Sequence, residues 1–233
     1  GEHDRTRAGI AVCVCNQRES RAGVEDAALR HESHSGFPSD LWAGRSSHII
    51  RCEMAHETVP KRTAAMVLTG PRALELRELE IPEIDDDGAI LRVEACGICG
   101  SDYEQYEGLL RTPVPVIPGH EPLGRIAKIG DRAARRWGVD VGDRVAVENM
   151  ISCRFCAPCL AGRSHLCEKR LIYSYIPLSQ APGLYGAYAE YMWLHPNSVL
   201  HKVDETLPAS LAVMFNPLGA GFRWAVEIPQ TKP

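Results

Sequence analysis

The sequence predicts a mainly β fold with short helices, arranged as a partly open β-barrel or a folded sheet. Many short apolar segments follow one another from Lys61 onward, and glycine and proline separate them. Two groups of cysteine-containing motifs lie between these segments. With 233 residues, 45% of them hydrophobic, the chain is long enough to bury a core of ordinary size.

The predicted strands are short, and turn residues bound them. The first covers residues 64–69 and ends at Gly70-Pro71, after which an extended segment runs to Pro82. A turn at 85–88 introduces the next strand. The remaining strands are predicted at residues 89–95, 123–129, 145–148 and 186–194, and a late helix begins within 208–213.

Residues 1–60 differ in composition from the rest of the chain. They are rich in Arg, Glu, His and Ser, and their apolar residues follow neither a helical nor a strand period. We therefore expect either a disordered segment or a spurious N-terminal extension, with Met54 as the natural start.

Charge and apolar content exclude several classes of partner. The net charge of -4 does not favour binding to nucleic acid or to an anionic membrane. No apolar run reaches the roughly 18 residues that span a bilayer, and the first residues do not form a secretory signal. Nine cysteines in a cytoplasmic protein, which is the compartment we expect, indicate metal binding or catalysis before disulfides.

Four cysteines with the spacing C-x2-C-x2-C-x7-C predict a structural zinc site. Four thiolates can close a tetrahedron around zinc at about 2.3 Å and leave no coordination position open. Such an ion would stabilise its loop without taking part in chemistry. A ferredoxin-like cluster would require a different spacing and a proline after the last cysteine. The four residues are Cys153, Cys156, Cys159 and Cys167.

Two further motifs could form a catalytic metal site. One runs from Cys96 through Cys99, Ser101 and Asp102, and the other is Gly119-His120-Glu121. A cysteine and a histidine at the ends of neighbouring strands could bind zinc, and Asp102 could accept the second ring N–H of the histidine. Taken singly, each motif also fits a turn with a satisfied histidine, a redox pair or buried thiols.

In this order, the motifs resemble those of the medium-chain, zinc-dependent alcohol dehydrogenase family, specifically its GroES-like catalytic domain. The resemblance covers residues 61–232 and rests on the motifs at 96–102, 119–121, 142–145 and 153–167. It implies a GroES-like, partly open β-barrel with a structural-zinc loop over residues 61–217. Residues 218–233 would begin the connection to a Rossmann cofactor domain, so we expect the chain to be a fragment.

The resemblance also implies a role for each motif residue. Cys99 and His120 would be catalytic zinc ligands, and Glu121 would be the nearby carboxylate that can exchange onto the metal. Ser101 would contact the substrate oxygen and take its proton, with Asp102 beside the histidine. The four cysteines at 153–167 match the structural-zinc set.

One departure from the family pattern concerns the third protein ligand. Asn216 stands where the family places a Cys, Glu or Asp, and its neutral carbonyl oxygen is a poor match for zinc. Either Glu121 completes the ligand set, or the catalytic zinc is weak or absent. A second departure is Glu104, which stands where many members have a proton-relaying histidine.

The family resemblance implies NAD(P)-linked oxidation of a small alcohol or polyol to a carbonyl, with zinc as cofactor and a homo-oligomer as the possible assembly. No G-x-G-x-x-G fingerprint of a dinucleotide-binding domain occurs in the sequence, so we expect the chain to be inactive alone. The alternative is a non-catalytic zinc-binding remnant held by the four-cysteine site.

Overall fold

The computed structural model describes residues 12–14 and 58–228. Residues 1–11, 15–57 and 229–233 lie outside the described residues. The expectation that residues 1–60 are disordered or a spurious extension therefore falls mostly on residues that are not described. None of the helices in the described part has the length and apolar character that crossing a bilayer requires.

The described elements are mostly short strands, and the prediction of a mainly β fold with short helices is confirmed. The strands are β1 Val12–Val14, β2 Arg62–Gly70, β3 Ala73–Glu80, β4 Ala89–Gly97, β5 Pro122–Ile129, β6 Arg144–Val147, β7 Met150–Ile151, β8 Leu171–Ile172, β9 Tyr191–Leu194 and β10 Leu200–Lys202. The α-helices are α1 Gly100–Tyr106, α2 Asp131–Trp137, α3 Ala157–Leu160, α4 Ala209–Ala212 and α5 Phe215–Phe222, and the last continues as a π-helical turn over Arg223–Glu227.

The main sheet has six strands and is antiparallel at every pairing. Its order is β1-β4-β5-β6-β10, and β9 also pairs with β4. The β2–β3 hairpin forms a second sheet, and β7–β8 form a third. The described strands do not close into a complete ring, as expected for a partly open barrel.

The central strand β4 organises the hydrophobic core. It has neighbours on both sides, and Ile90 and Leu91 on successive positions are both fully buried. Met192 and Leu194 of β9 and Val67 of β2 join the same core cluster. Burial of both faces at its start explains why Ala89, Ile90 and Leu91 are consecutive apolar residues.

One predicted strand is wrong in part. Only Tyr191–Leu194 of the segment 186–194 is a strand. Preceding residues follow an irregular path, because the Ala187 N–H donates to the carbonyl of Gly119 and the Tyr188 N–H to that of Pro118. The aromatic and apolar composition of this segment therefore reflects burial between loops as well as pairing in a sheet.

Two helices next to the motifs were not predicted. Helix α1 begins directly after Cys99, whose N–H donates to the Asp102 carboxylate at 2.8 Å. Helix α2 ends at Gly138, which has a φ of 64° and donates its N–H to the Ala134 carbonyl. Each helix has seven residues, too few for an apolar period to be visible in the sequence.

A buried ion pair fixes the chain that leads to the last helices. Arg144 of β6 is 5% exposed, and its Nε lies 2.7 Å from an oxygen of Glu94. The same guanidinium donates to the carbonyls of Asp204 and Leu207, just before α4. These contacts tie the segment before α4 to β6, and breaking the buried pair would leave an uncompensated charge.

Candidate metal centres

The four-cysteine loop is closed at its base by a short ladder. Strands β7 and β8 pair on either side of it, and α3 and a 3-10 turn at Ser164–Leu166 lie within it. The four sulfur atoms lie within 4.8 Å of one another, and those of Cys156 and Cys159 are 3.4 Å apart. The structure therefore brings together all four cysteines of the predicted structural site, Cys153, Cys156, Cys159 and Cys167.

The backbone of this loop favours a thiolate at Cys153. The backbone N–H groups of Phe155 and Cys156 donate to its sulfur and hold the pKa of the thiol well below its usual value. Burial, followed by the hydrogen bond from Cys156, raises the pKa of Cys159. Four sulfurs this close together cannot all ionise without a cation between them, so the loop is suited to a metal ion.

Arg154 attaches the cysteine loop to the sheet domain. Its backbone has a φ of 67°, and its guanidinium donates to the carbonyls of Asn197 and Ser198 at 3.0 Å each. The Ser198 hydroxyl in turn bonds the fully buried Tyr173 hydroxyl at 2.6 Å. The orientation of the loop thus depends on contacts outside its own sulfur cluster.

The second cluster forms where β4 ends and β5 begins. These strands are antiparallel, and Cys96 faces Pro122 in their register. Cys99 follows β4, and His120 and Glu121 come directly before β5, so the pairing brings the two motifs together. One potential ligand atom from each of Cys99, His120 and Glu121 lies within 4.8 Å of the other two.

Asp102 determines which nitrogen of His120 is available to a metal. Its Oδ1 lies 3.2 Å from Nδ1 of the histidine, and both side chains are 6% exposed. The contact is at hydrogen-bonding distance but poorly aligned, and neither atom has a well-formed hydrogen bond within the described residues. Because Nδ1 faces the carboxylate, Nε2 is the nitrogen left to bind an ion.

The surroundings of His120 also set its charge. Burial lowers the pKa of the imidazole, but Asp102 and then Cys99 outweigh burial and raise it to about 9. In the metal-free protein the imidazole is therefore protonated near neutrality. A metal ion must displace that proton in order to bind, which couples metal binding to proton release.

Glu121 is held between a glycine and an amide. A Cβ atom at position 97 would lie 2.1 Å from Glu121 Oε2, so only Gly97 leaves room for the carboxylate. The Asn216 Nδ2 donates to Glu121 Oε1 at 2.6 Å. The structure thus places Asn216 beside the cluster, in contact with Glu121.

Tyr175 is a site residue that the sequence analysis missed. Its ring centroid lies 6.4 Å from that of His120, and its hydroxyl shares a hydrogen bond with Ser101. Gln105 of α1 donates to the carbonyl of Ser174 at 2.8 Å and fixes the adjoining loop against the helix. Burial raises the pKa of Tyr175, so its hydroxyl stays protonated near neutrality. No motif surrounds it, and only the folded chain reveals its position.

The donor sets of the two clusters fit zinc in two different ways. Four cysteines are a closed structural set, whereas a cysteine, a histidine and a carboxylate are three ligands that leave a position open. The orientation of His120 by Asp102 and the space at Gly97 both agree with an ion held by the second set.

Comparison with known families identifies the family of the sheet domain. The family model described as the alcohol dehydrogenase GroES-like domain matches residues 85–205. The chain belongs to the medium-chain zinc-dependent alcohol dehydrogenase family. Its sheet domain is the GroES-like domain of that family, partly open as predicted. Proteins of this family depend on zinc and on NAD(P).

Individual dehydrogenases also match most of the chain. A probable alcohol dehydrogenase of Mycobacterium tuberculosis is 51% identical over 172 residues, which are 72% of this chain and 47% of that protein. An erythritol/L-threitol dehydrogenase of Mycolicibacterium smegmatis is 36% identical over 74% of this chain and 49% of its own length. The crystal structure of an alcohol dehydrogenase from Thermotoga maritima aligns with a TM-score of 0.59 and 28% identity, over 66% of this chain and 44% of that one.

The chain spans about half the length of the curated alcohol dehydrogenases that it matches. The range that the family model matches, residues 85–205, includes the cysteine loop and the Cys99–His120–Glu121 cluster. The chain therefore contains a dehydrogenase domain of this family.

Proposed function

We propose that this chain is the metal- and substrate-binding part of a zinc-dependent alcohol or polyol dehydrogenase. The convergence of Cys99, His120 and Glu121, each with one ligand atom within 4.8 Å of the other two, supports the proposal most directly. In this proposal residues 61–217 are the catalytic domain and 218–233 begin the connection to a cofactor domain. A small alcohol is the substrate, and NAD(P) is held outside residues 1–233.

The two clusters have different tasks in this proposal. Cys153, Cys156, Cys159 and Cys167 hold a structural zinc ion, and Cys99, His120 and Glu121 hold a catalytic one. The catalytic ion supplies a Lewis acid that polarises the oxygen of a bound alcohol and makes its hydroxyl more acidic.

The protein side chains then handle the proton and the orientation. Asp102 holds the Nδ1 side of His120, so that the imidazole presents Nε2 in one direction. The Ser101 hydroxyl would relay the proton that the alcohol loses, accepting it while its own proton passes on towards solvent, and its hydrogen bond with Tyr175 would orient it. Gly97 leaves the space in which the Glu121 carboxylate approaches the cluster.

Zinc stoichiometry tests this assignment. We expect about two zinc ions in the purified, untagged chain, because two separate donor sets are present. Elemental analysis should find about one ion in the Cys99→Ser variant. A weak chelator should leave this remaining ion in the cysteine loop, as it does in the wild-type chain. A wild-type chain with one ion, insensitive to Cys99→Ser, would instead support a non-catalytic zinc-binding remnant held by the cysteine loop.

We also expect the 233-residue chain alone not to oxidise alcohols with NAD(P). Its sequence contains no glycine-rich turn of the kind that binds the pyrophosphate of a dinucleotide. The measurement is NAD(P)H formation from a panel of small alcohols and polyols by the zinc-loaded chain. Turnover that disappears in Ser101→Ala would contradict the expectation.

A further inference from the structure

Asn216 occupies a position from which it acts on Glu121. It lies near the start of α5, 95 residues away from Glu121 in the chain, and is partly buried. Its Nδ2 donates to Glu121 Oε1 at 2.6 Å, which is a short hydrogen bond to a carboxylate. The amide group therefore points its donor at the carboxylate, so its nitrogen is not a metal ligand.

The two oxygens of Glu121 have different surroundings. Oε1 accepts the hydrogen bond from Asn216, whereas Oε2 lies on the side of Gly97, where a Cβ atom would collide with it. The Gly97 N–H also donates to the backbone carbonyl of Glu121 at 3.2 Å. At 5% exposure the carboxylate has little room to rotate, so these contacts fix its plane.

From these contacts we propose that Asn216 is a positioning residue that makes Glu121 the third protein ligand of the catalytic zinc. This inference rests on the proposed zinc site. An amide donor suits the task because it orients a carboxylate without adding a charge. Zinc with one thiolate, one neutral imidazole and one carboxylate is electrically neutral, whereas a second carboxylate would make the site anionic.

Aspartate at position 216 separates this inference from its rival. If position 216 itself supplied the third ligand, Asn216→Asp would replace a poor ligand with a good one and tighten zinc binding. In our proposal the same change removes the amide donor and places two carboxylates within hydrogen-bonding distance. Repulsion between two carboxylates at this distance raises the pKa of one of them and disturbs the orientation of Glu121. The two hypotheses therefore predict opposite signs.

The experiment compares Asn216→Asp, Asn216→Ala and the control Asn197→Ala in the full 233-residue chain, by zinc competition with chelators of graded strength. The site that Cys99→Ser abolishes is the one measured, and the zinc of the cysteine loop reports an intact fold. We expect both changes at position 216 to weaken that site by about 10–100-fold. Asn197→Ala, whose side chain is outside the cluster, should leave it unchanged.

A double-mutant cycle isolates the contact. In the Glu121→Gln background the effect of Asn216→Ala should largely vanish, because the carboxylate that it orients is gone. Cobalt bound at the second site, with zinc in the cysteine loop, should change its visible spectrum in Asn216→Ala. If Asn216 had only a structural role, Asn216→Ala would have the same effect on zinc affinity in both backgrounds, and the cobalt spectrum would not change.

The outcomes distinguish this inference from the proposed function. Tighter zinc binding by Asn216→Asp, or unchanged binding by both variants at position 216, would overturn the inference and leave the zinc site in place. A wild-type chain without a second zinc ion would overturn both.

Discussion

Replacing Cys167 with serine is expected to remove the structural zinc and to destabilise the loop from β7 to β8. Cys167 is 2% exposed, and its sulfur accepts the N–H of Cys153 at 3.3 Å, so it joins the two ends of the loop. Loss of a structural metal is among the most destabilising single changes, and we expect a cost on the order of 5 kcal/mol. For a domain of this size the melting temperature should then fall by on the order of 10 °C.

Elemental analysis and thermal unfolding by circular dichroism measure the two effects together. Cys96→Ser is the matched control, since Cys96 is also buried but its sulfur belongs to neither cluster. The control should keep both zinc ions. If Cys167→Ser retained the full zinc content and the wild-type melting temperature, the sulfur cluster would not be a metal site.

Replacing His120 with alanine is expected to abolish metal binding at the second cluster. The change removes one of three potential ligands, and it leaves the buried Asp102 without the group it faces. Loss of a residue that only orients a ligand already costs about 10–100-fold in metal affinity. We therefore expect loss of the ligand itself to cost more than about 100-fold.

The zinc of the cysteine loop should be unaffected by this change, because the two clusters share no residue. Chelator competition measures the affinity, and His201→Ala is the control. His201 is exposed, lies outside both clusters, and its ring Nε2 lies 3.0 Å from the Glu148 carboxylate. Equal loss of zinc in both histidine variants would point to a general loss of structure and count against a metal site at His120.

Much of the fold could be predicted because local signals and tertiary contacts agree. Apolar segments bounded by glycine and proline became β2, β4, β5 and β6, with ends within a few residues of the prediction. The cysteine spacing likewise describes a loop whose four sulfurs are close along the chain. In these parts the residues that form the pattern are also the residues that contact one another, so the pattern alone predicts the structure.

Other parts depend on contacts between distant residues. Helices α1 and α2 are too short to show a period, and Ala187 and Tyr188 donate to loop carbonyls that no pattern marks. The motifs identified Cys99, His120 and Glu121, whereas Tyr175 reaches the site through a loop held by Gln105. Asn216 was recognised as unusual from its type, but its bond to Glu121 joins residues 95 apart and required the structure.

The two clusters also differ in how much of the chain must be assembled before each can capture a metal. The cysteine loop needs only the segment 153–167, and closing so short a loop costs little chain entropy. The other cluster needs β4 paired with β5, and α5 delivered from beyond residue 214. Contacts of such long sequence separation form late. The cysteine loop therefore assembles its donor set from one short stretch of chain, whereas the second cluster also requires two strands to pair.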